Sequence, residues 1–156
     1  HLIFSLGFGT QSADEVLESE LNRERFDELA QEMPVYAQYP NEKQETYIKN
    51  LVRGAFAHGP ELDDYISRYA VGWSFERIPR MAAAIMRTAM YEILYMPDIP
   101  NAAAINAAVE LTKRYEPQEV ASFVNGILGT FVRAEFQDTP AKPEKAAAGT
   151  EPAPEE

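Results

Sequence analysis

Four arginines, Arg68, Arg77, Arg80 and Arg87, cluster between Tyr65 and Tyr91 against a single acid, Glu76, for a local charge of +3. Guanidinium groups hold phosphate oxygens through forked, charge-assisted hydrogen bonds, so such a zone has the chemistry to bind a polyanion. The plain alternative is a helix surface with scattered arginines, and the residues alone favour it. A second feature is the polar pair Asn125-Gly126, set inside the apolar run from Phe123 to Leu128, FVNGIL. Glycine within a helix costs ~1 kcal/mol against alanine. Its presence there points to close backbone approach or to an exposed surface.

Catalytic chemistry has no comparable signature. The chain has no glycine-rich phosphate loop and no histidine–carboxylate–nucleophile pattern. It has no cysteine, which excludes disulfides and thiolate metal sites. His1 and His58 are too far apart in sequence to suggest a metal site. Asp63-Asp64 reads as part of a solvated helix face rather than an acid–base pair. His58, ahead of Gly59-Pro60, reads as a helix-end residue. Two further charges, Arg87 and Glu92, lie on an apolar stretch, where an unpaired charge would be costly. Five residues apart, they point in different directions, and Glu110 is a candidate partner for Arg87. A structural network and a partner-facing rim are equally open for them. The chain reads as non-enzymatic.

The elements that must position these residues are helical throughout. Residues 1–8 read as the end of a helix. Ser12 and Glu15 have the spacing of a capping box, and a helix of irregular apolar spacing runs on to about Glu32. Pro34 to Pro40 reads as a loop. Tyr47, Ile48, Leu51, Val52 and Ala55 repeat at threes and fours on one helix face. His58-Gly59-Pro60 stops that helix, with glycine at its C-terminal turn and proline in the first turn of the next. That next helix carries Leu62, Tyr65, Ile66 and Tyr69. A helix over 79–96 is apolar around most of its circumference, the mark of a bundle centre. It is short and charge-interrupted for a membrane span. Pro97-Asp98-Ile99-Pro100 ends it, and the following helix uses Ile105, Ala108, Val109 and Thr112. The last helix, opened by Pro117, shows the cleanest 3.6-residue pattern, from Val120 to Val132. The expected fold class is therefore all-α: a single-domain bundle of about seven helices over 1–136. Residues 137–156, rich in Pro, Ala and Glu, read as a disordered acidic tail.

Composition bounds the function. A chain of 156 residues can bury a core as one domain. The net charge of −11 argues against a generic nucleic-acid binder. Residues 1–136 hold 12 basic and 20 acidic side chains, and 137–156 hold 2 and 5, so the excess of acid is general and the 65–91 zone is the exception. The opening HLIFSLGF lacks the basic start and cleavage site of a signal peptide. With the absence of cysteine, this leads to an expectation of a cytoplasmic protein without a membrane partner.

Three strings together resemble the NusB family of transcription antitermination factors. They are Arg87 to Glu92, Ile105 to Lys113, and Phe-Val-Asn-Gly-Ile-Leu at 123–128. The likeness is good over 73–128 and loose over 1–72. It implies an all-helical bacterial RNA-binding protein without cofactor or catalysis. The implied partners are single-stranded boxA RNA of ribosomal transcripts, the ribosomal protein NusE and the RNA polymerase antitermination complex. A homodimer is also left open. On this likeness the RNA-facing residues are Arg77, Arg80, Lys113, Asn125 and Gly126, and the partner-facing residues are Phe4 and Glu92. The family's arginine-rich leader is expected to have ended before His1. Ala82, Ala107 and Gly129 stand where the family often has carboxylates. The alternative is a NusB-like module for protein interaction or dimerisation, without boxA binding. A link to a ribosomal-RNA methyltransferase is disfavoured, because no such segment follows the bundle.

Overall fold

The structure, a computed structural model, describes residues 1–7 and 9–136. Among these there are eight α-helices and no strand. The helices are α1 (Leu2–Leu6), α2 (Ala13–Glu20), α3 (Arg23–Ala30), α4 (Glu42–Ala57), α5 (Gly59–Tyr69), α6 (Arg80–Tyr95), α7 (Asn101–Tyr115) and α8 (Gln118–Glu135). Single 3-10 turns sit at Pro34–Tyr36 and Phe75–Arg77. The expected tail over 137–156 lies outside the described residues.

α6 is the centre. Ala82 through Met86, Ala89, Met90 and Ile93 are all buried on it, and it packs against α1, α4, α5, α7 and α8. Its run of alanines lets neighbouring backbones approach, while Met86, Met90 and Ile93 fill the space between them. From α8, Val124, Leu128 and Phe131 are fully buried, and from α5 so are Leu62 and Ile66. No helix of the described residues is long and apolar enough to cross a membrane.

Three local expectations are corrected. The helix expected from Ser12 to about Glu32 is two helices, broken at Leu21. Asn22 restarts the chain by accepting the Arg25 N–H at 2.8 Å. Gly59 does not terminate α4. His58 is the shared boundary, α5 begins at Gly59, and the two helices abut without a loop. The reciprocal capping box belongs to Asn41 and Gln44 at the head of α4, each accepting the other's backbone N–H. At α2 only the Ser12 half of a box forms.

Candidate nucleic-acid interface

Short links fold α6, α7 and α8 back on one another, so the start of α6, the end of α7 and the start of α8 share one end of the bundle. The α5–α6 link joins the same end, because the Trp73 ring packs over Phe123 of α8 with centroids 4.7 Å apart. Arg77 closes the 3-10 turn of that link, Arg80 opens α6 and Lys113 lies in the last turn of α7, all three exposed. Asn125 and Gly126 are exposed two turns into α8. The N-caps of α6 and α8 are Pro79 and Pro117, neither with a side-chain cap. The free N–H groups of both first turns therefore add partial positive charge here, offset at α8 by Glu119.

The other half of the basic zone is neutralised. Arg68 pairs with Asp64 at 2.8 Å and with Glu135 at 3.5 Å. Arg87 donates from Nε to Asp63 of α5 at 2.6 Å, and its guanidinium lies 5.6 Å from the Phe75 ring centroid. Glu110, expected as its partner, instead takes the Lys113 ammonium at 3.1 Å, one turn along α7. The reason is topological: Asp63 faces α6 across the α5–α6 contact, whereas Glu110 is exposed on α7. With its side chain 19% exposed, Arg87 serves as a structural tie. The zone's other two arginines, Arg77 and Arg80, are both exposed.

Two glycines within helices show opposite surroundings. A Cβ built on Gly54 of α4 would lie 2.0 Å from the Cζ and Oη of Tyr91, so that glycine exists to seat a ring. A Cβ built on Gly126 would meet nothing within 4 Å. Packing among the described residues gives no reason for a glycine at 126. The bare backbone faces outward.

The residues expected to face a protein partner lie elsewhere. Phe4, half-buried on α1, packs on the core cluster. The Glu92 carboxylate of α6 accepts the Tyr47 hydroxyl of α4 at 2.6 Å. Burial and that carboxylate push the Tyr47 phenol far above its ordinary range. Tyr47 lines a groove of about 720 Å³ with Lys43, Arg53, Tyr91, Tyr95 and Asp98. At its rim Tyr95 donates to Glu61, stacks on His58 at 4.2 Å between centroids, and has its phenol pushed up to about 12, by desolvation first and the Glu61 hydrogen bond second. Sequence reasoning did not single out Tyr47, Tyr95 or Trp73. Only Trp73 carried a usable signal, as the single tryptophan of the chain, placed beside Gly72.

These features define a small all-helical domain with exposed cationic side chains at one end. Among the described residues no cluster of three or more histidine, aspartate or glutamate side chains could hold a metal ion. A profile of the NusB family matches residues 3–133, and the chain belongs to that family. It is 43% identical over 96 residues to the transcription antitermination protein NusB of Acetivibrio thermocellus, covering 62% of this chain and 66% of that one. It is 37% identical over 127 residues to the protein of the same name from Carboxydothermus hydrogenoformans, covering 81% and 82%. The chain thus spans just under two thirds of the first relative and most of the second. The solved structure of T. maritima NusB superposes with a TM-score of 0.69 at 28% identity, over 85% of this chain and 83% of that one.

Proposed function

We propose that this chain is a transcription antitermination factor that binds the boxA element of ribosomal RNA transcripts as a single strand, jointly with the ribosomal protein NusE, and so joins the RNA polymerase antitermination complex in the cytoplasm. The observation that carries the reading is the open backbone at Gly126, beside Asn125, midway along α8, whose first turn lies at the bundle end where Arg77, Arg80 and Lys113 are exposed. A polyanion running from that end along α8 would meet cationic side chains, two uncapped helix N-termini and then a stretch of backbone that no side chain covers. The reading needs no catalytic group and no cofactor. Phe4 and Glu92 are the residues proposed to face NusE, away from the RNA. The relatives named for antitermination support the role.

The test is a titration of boxA RNA, with and without NusE, across a range of salt. Each phosphate contact on a single strand contributes about −0.7 to the slope of log K against log salt. Arg77→Ala with Arg80→Ala should weaken binding for all RNA sequences alike and flatten the slope by about 1.4. Equal binding by the double variant and the parent would remove this surface from the reading. Absence of boxA binding even with NusE present would leave the protein-interaction module in its place.

A further inference from the structure

We infer that Trp73 is a stacking platform for one unpaired base of a single-stranded RNA, an assignment that rests on the RNA reading above and adds to it a residue whose contact is not electrostatic. Trp73 is the only tryptophan of the chain, and it is 45% exposed. Tryptophan buries a large apolar area when it packs, so leaving half of it in water needs a reason. Its ring is nonetheless held in place. One side is set against Phe123, with the planes tilted by 37°. The backbone beneath is fixed by Gly72 at φ +84°, a conformation that suits glycine, and by the Trp73 N–H donating to the Ala70 carbonyl at 3.2 Å. The result is an aromatic side chain packed on Phe123 and still 45% exposed.

Its surroundings select the occupant. Gly126 lies one helical turn on from Phe123, so the bare strip of α8 borders the aromatic pair. Arg77 closes the 3-10 turn that begins two residues after Trp73. An aromatic face, a nearby guanidinium and an uncovered backbone strip together match a nucleotide: base on ring, phosphate on arginine, sugar edge against the helix. Stacking tolerates any base, so the platform adds affinity without fixing sequence.

Because the chain has one tryptophan, its fluorescence reports on this site alone. Titrating the chain with a boxA RNA single strand at low salt should quench that emission at the same midpoint as a labelled-RNA binding curve. Trp73→Ala should weaken RNA binding about 10-fold and leave the salt slope unchanged, since no phosphate contact is lost. Trp73→Phe should recover most of the affinity, and thermal melting of both variants should stay close to the parent's. If RNA binds without quenching, or if Trp73→Ala binds as tightly as the parent, the platform is wrong while the RNA reading stands. If NusE alone quenches the emission and RNA adds nothing, the occupant is the protein and the platform is overturned. If the parent binds no RNA under any of these conditions, both readings fall together.

Discussion

Gly126→Ala and Gly54→Ala are the same chemical change with opposite expected signs. Gly126 is in the middle of the 18-residue α8, exposed, with nothing within 4 Å of a Cβ placed there. The alanine therefore adds no clash, gains about 1 kcal/mol of helix propensity, and restricts the unfolded chain. With a urea m-value of about 1–3 kcal/mol/M, the midpoint should rise by about 0.3–1 M. At Gly54 the same gain is opposed by a methyl group 2.0 Å from two atoms of the Tyr91 ring. Displacing that half-buried ring is an overpacking change of about 1–3 kcal/mol, so the net effect should be a loss of roughly 1 kcal/mol. Placed on a Tyr91→Leu background, Gly54→Ala should turn stabilising, because the obstructing ring is gone. The assay is equilibrium urea unfolding of all four variants with m-values held comparable. A destabilised Gly126→Ala, or a stabilised Gly54→Ala in the parent background, would refute the reasoning. The same Gly126→Ala protein should bind boxA RNA more weakly than the parent while being more stable. Unchanged binding would show that the open backbone is not there for RNA.

Other outcomes follow from the core and the ion pairs. Ile85→Asp places an unpaired carboxylate at a position 4% exposed and should abolish the helical circular dichroism signal at 37 °C. Asp63→Ala strands the half-buried Arg87 guanidinium and should lower stability by about 1–2 kcal/mol, whereas Glu110→Ala, which removes only an exposed pair, should change it by less than about 0.5 kcal/mol; urea unfolding separates the two. The Tyr95 phenol is raised from 10 to about 12 in the folded state, so folding favours its neutral form. The corresponding stability is complete below pH 10 and lost as pH climbs towards 12. Tyr95→Phe should therefore lose less stability than the parent across that window, as read by urea midpoints at stepwise alkaline pH.

The helices that carry their own periodicity were legible. α6 announced itself by being apolar around its circumference, and α8 by the spacing from Val120 to Val132. Both settle as expected, with Val124, Ile127, Leu128 and Phe131 buried. The α2–α3 break was not legible as a break, although its sign was present. The spacing Val16, Leu17, Leu21 and then Phe26, Leu29 never fits one stripe, and the Asn22 cap between them explains why. What no local pattern could supply were the pairings across the bundle. Asp63 and Arg87 are 24 residues apart, Tyr47 and Glu92 45 residues apart, and Trp73 meets Phe123 across two intervening helices. Each is set by which helix faces meet, which the packing around α6 decides.

The packing also changes what the net charge of −11 means. Taken as a total, it opposes RNA binding. Half of the twelve basic side chains in 1–136, however, are paired: Arg25, Lys49, Arg53, Arg68, Arg87 and Lys113 each sit in an ion pair with a named carboxylate. Charges beyond about 8–10 Å are screened at ordinary salt, so the local end of the bundle matters and the total does not. That end carries Arg77, Arg80, Lys113 and Arg114, all exposed, which would allow at most about four phosphate contacts and a salt slope of about −2.8 for the RNA binding proposed above. In the proposed RNA complex, the uncovered backbone midway along α8 and the half-exposed ring of Trp73 would supply contacts that salt does not weaken.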